Sequence, residues 1–417
     1  MIAAARGKLF YGWHIVGAAA GIQFLQSALM HSAFGAYVAM LGDEKGWSKT
    51  ALSGAAALQS VESALLGPLL GWIVDRFGAR GMVRAGVIVF GLGLMAFSRI
   101  DSLAGFYAVV VVIAVGTSIG GYFPLTVVIL HWFERQRARA LSSMSFGLAL
   151  GGAVVPLVAL VMQTWGWRAT ALGSGIVVIL LGWPLASMIY GKPKDRGETV
   201  DDVPAVTPPD SNPPIGEHPV EAAAQREFTA GQALRTRAFW LLGLGHSFAL
   251  LVVTAVNVHA ITHMKESLGY SLAQASVVIT VMTIAQGGGV LLGMVIGDRY
   301  DKRYVAAATM LMHGSGLLML TYAGGPLMLG AFALLHGAAW GLRGPFMQAI
   351  RADYFGRHAI GMILGLSTVL LAVGQIGGPM IAGALADLTG DYRSGFTLLA
   401  IVAAAGSVLF LLAKKPV

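Results

Sequence analysis

The sequence predicts an all-α membrane protein with twelve transmembrane helices in two pseudo-symmetric six-helix bundles, and three observations predict it. Hydrophobic residues fill 56% of the 417 positions and charged residues 12%, with a mean hydropathy of +0.72. A soluble chain carries about 25% charge, so half of the polar surface that water requires is missing. The apolar residues gather in runs of about 18–25, enough to cross about 30 Å of hydrocarbon at 1.5 Å per residue. These runs lack the period-2 alternation of a membrane barrel. Finally, landmarks of the first half recur in the second at an offset near 223.

The short basic N-terminus, with Arg6 and Lys8, leads into a first run centred near residue 26. No small-residue cleavage pattern follows at a signal-like distance, so this run reads as a retained helix. Runs two to six centre near 63, 91, 118, 150 and 180. In the fifth, Gly147 and Gly151 have the small-xxx-small spacing that lets helices approach closely. Residues 191–236, rich in Pro, Asp and Glu, cannot bury enough apolar surface to fold alone. Runs seven to twelve centre near 251, 284, 313, 339, 371 and 403, and Gly289, Gly293 and Gly297 repeat the small spacing in the eighth. The expected organisation is an N-terminal bundle over 1–190, a cytoplasmic linker over 191–236 and a C-terminal bundle over 237–417.

The net charge of +8 is distributed by side. With both termini in the cytoplasm, 21 Lys/Arg fall on that side, Arg351 and Arg137 among them, six fall outside, and Arg343 lies within a helix. This is the positive-inside pattern of a bacterial inner-membrane protein, and not a nucleic-acid footprint. The absence of cysteine excludes disulfides and thiolate metal sites. No nucleotide-binding glycine motif and no nucleophile–base pair speak for a pump or an enzyme. The expected partners are a small anionic substrate, a proton and the lipid bilayer; the chain is read as a monomer without cofactor.

The repeat is specific. Gly46-Trp47-Ser48 matches Gly269-Tyr270-Ser271, and Asp75-Arg76 with Arg80 matches Asp298-Arg299 with Arg303. Pro124 matches Pro345, Pro156 matches Pro379, and Trp167-Arg168 matches Tyr392-Arg393. An even number of helices per half keeps the halves parallel, an arrangement that places a substrate site at their interface near mid-membrane. GWIVDRFGAR (71–80) resembles the signature loop of the major facilitator superfamily, and GDRYDKR (297–303) is its weaker copy, with Met294 where the pattern has glycine. FYGWHIV (10–16), GWSKTALSG (46–54), HWFERQRARAL (131–141), GWRAT (166–170), ALRTRAFW (233–240) and DYFGRHAIGMILG (353–365) resemble the monocarboxylate and oxalate/formate porter branch. The resemblance implies secondary transport of a small organic anion, a monocarboxylate first, by alternating access. It also implies that Asp75, Arg76 and Arg80, with Asp298, Arg299 and Arg303, latch the cytoplasmic ends of the halves. Each Asp would face a helix N-terminus of the other half, where the dipole favours a carboxylate. Porters of this branch commonly carry a basic residue in the eighth span, some with another in the eleventh. Neither span has one here, so either Arg343 takes the role or the substrate class differs.

Of 20 acidic residues, 19 fall in loops or the linker; the exception is Glu62, mid-way along the second run beside Gln59 and Ser63. Arg343, in HGAAWGLRGPFMQAI, is the basic exception. A charge at that depth costs several kcal/mol, so both are functional candidates. A guanidinium stays charged when dry and grips carboxylate with two bonds, which makes Arg343 the anion-binding candidate. Its plain alternatives are a structural ion pair and snorkelling to water. Tyr122 is its repeat counterpart, a phenol that needs a partner. A carboxyl in low dielectric holds a proton readily, so Glu62 is expected to carry a proton, to pair with Arg343, or both in turn. His31 and His246 are candidate substrate contacts, His31 also a proton carrier. Asn257, Gln286 and Gln375 are polar lining candidates, with His336 two turns before Arg343. His313 reads as a packed or lipid-interface residue. His259 and His263 have metal-ligand spacing without a third ligand, and read as pathway lining beside Asn257. Two other functions fit the same fold prediction: an efflux transporter for drugs or metabolites, and a transporter-like membrane sensor.

Overall fold

The computed structural model describes residues 10–47, 49–202 and 227–416. Most of the expected linker, and the side chains of Gln59 and Ser63, lie outside the described residues. Twelve spans follow one another. α1 is Tyr11–Lys45, α2 Lys49–Phe77, α3 Ala79–Phe97 and α4 Leu103–Trp132. α5 and α6 share Arg137–Ser187 and part at Gly166, so that 137–165 is α5 and 167–187 is α6. α7 is Arg237–Glu266, α8 Leu272–Ile296 and α9 Lys302–Thr321. α10 is Pro326–Phe355, α11 Ile360–Thr389 and α12 Arg393–Leu412. No strand occurs among the described residues.

Among the described residues, nine segments are by length and apolarity alone fit to cross a membrane, one of them holding both α5 and α6. The two spans not among them, α2 and α10, are those that carry Glu62 and Arg343. Helix starts are fixed by side chains that accept from otherwise unpaired N–H groups. Ser102 accepts from Gly105 N before α4, Thr236 from Phe239 N before α7, and Ser271 from Gln274 N before α8. Each such cap contributes about 1 kcal/mol. The duplication is written in the turns as well. Gly46 (φ 65°) and Gly269 (φ 75°) link the first two spans of each half, and Gly166 (φ 80°) and Gly390 (φ 84°) link the last two. Positive φ at these four places is what fixes glycine there.

Each half has its own apolar core, and the first core continues into Phe346 and Ala349 of α10 and Ile360 and Leu364 of α11. The halves meet along two seams, α2 on α11 and α5 on α8 and α10. Within each half the spans approach on glycine. Gly147 and Gly151 set α5 against Ala20 and Ser27 of α1, and Gly289, Gly337 and Gly341 set α8 against α10. Three spans are interrupted: α1 by a π-helical turn at Ser27–His31, α4 at Gly121 and α5 at Val154. With an even number of spans both termini lie at one face, called here the terminal face.

Candidate functional site

From the terminal face, α10 rises past Arg351 to Arg343, which stands roughly 18 Å from the Phe355 end at 1.5 Å per residue. Tyr122 on α4, His246 on α7 and Gln286 on α8 stand about 14–15 Å from the same ends of their helices. All four are therefore near mid-depth. Arg343 is 1% exposed, and its Nε and Nη1 have no hydrogen-bond partner. Its electrostatic neighbours are Arg351 and Tyr122. At this depth and burial it cannot snorkel to water.

Arg351, placed among loop charges by the sequence reading, is instead inside α10 and 2% exposed. Its Nη1 donates to Met347 O (2.9 Å) and its Nη2 to His246 Nδ1 (3.3 Å). It lies one turn from the end of α10, where sequence alone cannot separate an inward arginine from a loop arginine. Arg351 lines a cavity of about 30 Å³ with Tyr122 and Thr126 of α4, Gln348, and Ser367 and Thr368 of α11.

α4 is broken at this level. Gly121 (φ −113°, ψ −136°) ends one helix and Tyr122 begins the next. The first N–H groups of a helix lack intrahelical partners, and its N-terminus carries partial positive charge. A side chain at 121 would strike Gln26 Oε1 and Thr117 O. Tyr122 stands beside Ser145 and Thr126. Gln26 Nε2 is buried without a partner. These polar groups were legible only as isolated polar letters in apolar runs.

The remaining candidates divide. His31 closes the π-helical turn of α1 and is exposed, as are Asn257 and Gln375; Gln286 is half-buried, its carbonyl against Gly341. Glu62 accepts from Ser118 Oγ at 3.2 Å across α2 and α4. It stands on α2 along the seam with α11. His313 is not lipid-facing: α9 packs between α10 and α12, and its ring is fully buried, Nδ1 to Nδ1 of His336 at 3.2 Å. His259 meets Pro379 O on α11 (3.0 Å) and His263 meets Leu320 O on α9 (3.2 Å). The two rings thus reach towards different helices.

At the terminal face the seams are latched. Asp75 accepts from Gly361 N (2.9 Å) and Met362 N (2.7 Å), and Asp298 from Ala138 N (3.1 Å) and Arg139 N (3.2 Å). Each carboxylate thus caps the first turn of a helix in the other half. Donors and acceptors alike are 223 positions apart in the two latches. The signature arginines stay in their own halves. Arg76 lies over Trp72 and Phe77, Arg80 lies 4.2 Å over Tyr190, and Arg303 is held by Asp301. Arg299 is exposed at the rim of a groove. Aromatic faces within reach hold the two arginines that follow Asp75. The ion pairs that do cross are Arg137–Asp353 (2.6 Å) and Glu134–Arg357 (3.2 Å), and Lys302 joins Asp353 to Asp298 at 2.8 Å each. The α2–α11 seam is closed differently: Gly67 and Gly71 face Gly365 and Gly361 so closely that a Cβ at any of them would collide.

The family model described as Major Facilitator Superfamily matches residues 19–260 and 242–417. The chain is 26% identical to Monocarboxylate transporter 11 of Homo sapiens, over 96% of this chain and 82% of that one. It is 22% identical to the Benzoate transport protein of Acinetobacter baylyi, over 82% and 76%. The crystal structure of FucP, a Major Facilitator Superfamily transporter, in the outward conformation covers 98% of this chain and 100% of its own, with a TM-score of 0.72 at 15% identity.

Proposed function

The chain belongs to the major facilitator superfamily, and from that premise we propose that it is a secondary transporter of a small organic anion, a monocarboxylate first, moved by alternating access between bundles 1–190 and 237–417. One observation carries the reading: a fully buried Arg343 with two unpartnered nitrogens, beside Tyr122 at the N-terminus of the broken half of α4. A dry, unpaired guanidinium is costly, and a carboxylate completes it with two charge-assisted bonds. Broken helices whose N-termini meet an anion at mid-membrane serve the same end. The names of the relatives, monocarboxylate and benzoate carriers, point the same way.

In this reading the protein sits in a bacterial inner membrane as a monomer, and the latched terminal face is cytoplasmic. His31, Asn257 and Gln375, exposed within their spans, line the approach from the other face. The anion bridges Arg343 of one half and Tyr122 of the other, with His246, Arg351 and Gln286 around it. Asp75 and Asp298 hold the gate, while Arg76, Arg80, Arg299 and Arg303 fix its loops. The test is a thermal-shift screen of purified protein against lactate, benzoate and glucuronate, repeated with Arg343→Gln. Stabilisation by an acid, growing with its concentration over its Kd, and lost in the variant, is the expected result. A hit that survives the substitution removes Arg343 from the site, and stabilisation by lipophilic cations alone favours an efflux transporter.

A further inference from the structure

A second buried polar pair lies between α9 and α10. His313 and His336 are fully buried, with their Nδ1 atoms 3.2 Å apart and ring centroids 4.5 Å apart. Two ring nitrogens at that distance need one hydrogen between them, so one Nδ1 donates and the other accepts. The donor ring then keeps a lone pair on Nε2 and the acceptor ring an N–H there. Both Nε2 atoms are buried without partners. One proton added to the free lone pair makes an imidazolium held to a neutral imidazole by a charge-assisted bond.

His336 precedes Arg343 by seven residues, close to two turns, and so stands on the same stripe of α10 about 10 Å away along its axis. Arg343 acts electrostatically on both rings. On the other packed helices the titratable groups are engaged elsewhere or stand at helix ends, as do Arg237, Lys265 and Glu266 on α7 and Arg137 and Arg139 on α5. On α7, His246 is held by Arg351, His259 by Pro379 O and His263 by Leu320 O. On α12, Arg393 pairs with Asp391, and α8 has no titratable side chain.

We propose that His313 and His336 form a proton-binding site whose occupancy follows that of Arg343: the bare guanidinium repels a proton from the pair, and a bound carboxylate cancels that repulsion. This rests on the reading of Arg343 as the anion site and deepens it, since anion and proton then load together and cross as a neutral sum. Unit charges about 10 Å apart at an effective dielectric near 20 change a proton affinity about tenfold.

The test uses the full-length protein in weakly buffered detergent solution with a pH indicator, titrated with sodium lactate and sodium benzoate. Wild type takes up as much as about half a proton per carboxylate bound, the most a tenfold coupling allows, and its affinity falls about tenfold in all as pH rises through the titration of the pair. His313→Asn and His336→Asn keep an amide near the Nδ1 position but hold no proton. They bind carboxylate without proton uptake and with a flat pH profile. Uptake that persists in the double Asn variant, or that vanishes in Glu62→Gln, overturns the proposal. If the Asn variants do not fold, ¹⁵N-histidine spectra of wild type decide it. Two imidazole resonances that move on adding benzoate support it, and unchanged imidazoles overturn it. A wild type that binds neither acid overturns the reading of Arg343, and this proposal with it.

Discussion

At the scale of single residues, the site is built from groups that the fold leaves unsatisfied. Arg343 is dry and lacks partners for two nitrogens, so it opposes the stability of the empty protein. Replacing even a buried ion pair by apolar side chains of similar size is commonly neutral or stabilising by about 1–4 kcal/mol, and a lone buried charge has less to offset its desolvation. Arg343→Met is therefore expected to raise the melting temperature without ligand while weakening carboxylate binding about 100-fold, the cost of removing one partner of a buried charge pair. Melting curves with and without benzoate check both halves of the expectation. Asp101, at the face opposite the termini, shows the contrary case. Lys45 at 3.0 Å and Arg168 at 2.7 Å hold its carboxyl below the usual range. Its contribution is complete above about pH 3.9, the unfolded value, and is lost as pH falls through the depressed folded value. The melting-temperature gap between wild type and Asp101→Asn should shrink below about pH 3.9. Arg343 was legible because it interrupts an apolar run. Arg351 and Arg137 were not, since at one turn or less from a helix end the sequence does not say whether the side chain turns in or out.

At the scale of elements, helix ends do most of the positioning. Asp75 and Asp298 each accept two backbone N–H bonds from a helix of the other half. The chain contains no cysteine, so Ser142→Cys, buried on α5 against Gly293 of α8, is a single reporter of opening at the terminal face. Losing the Asp75 cap costs about 1 kcal/mol, so Asp75→Asn should raise maleimide labelling of that cysteine about fivefold. Gly365→Val, which cannot close against Gly67, should raise it further. Labelling unchanged in both would remove the latch role. The two aspartates were readable from the repeat. The break of α4 was not, although Gly120, Gly121 and Pro124 cluster there, because glycine in a membrane helix more often marks close packing than a break.

At the scale of the whole molecule, the duplication accounts for most of what the sequence made legible: the two bundles, their turns and the paired latches. The contacts between halves were the less legible part, because they depend on which of many similar loop charges the second bundle happens to face. Arg137 and Asp353 meet across the halves, yet 223 positions beyond Arg137 stands Ile360 and not a cation. Arg137→Asp leaves a buried charge unpaired, a loss of about 3–5 kcal/mol. Substrate exchange in proteoliposomes should accordingly collapse in Arg137→Asp and recover in part when Asp353→Arg is added. The opposite seam allows no such repair. At Gly71 and Gly365 a Cβ would strike the backbone of the facing helix, so there no second substitution compensates the first. Descendants of this chain are thus free to retune their cycling speed by trading charges along α5 and α10. Along α2 and α11 they inherit a fixed fitting, and a lineage that loses a glycine there must give up the closed gate.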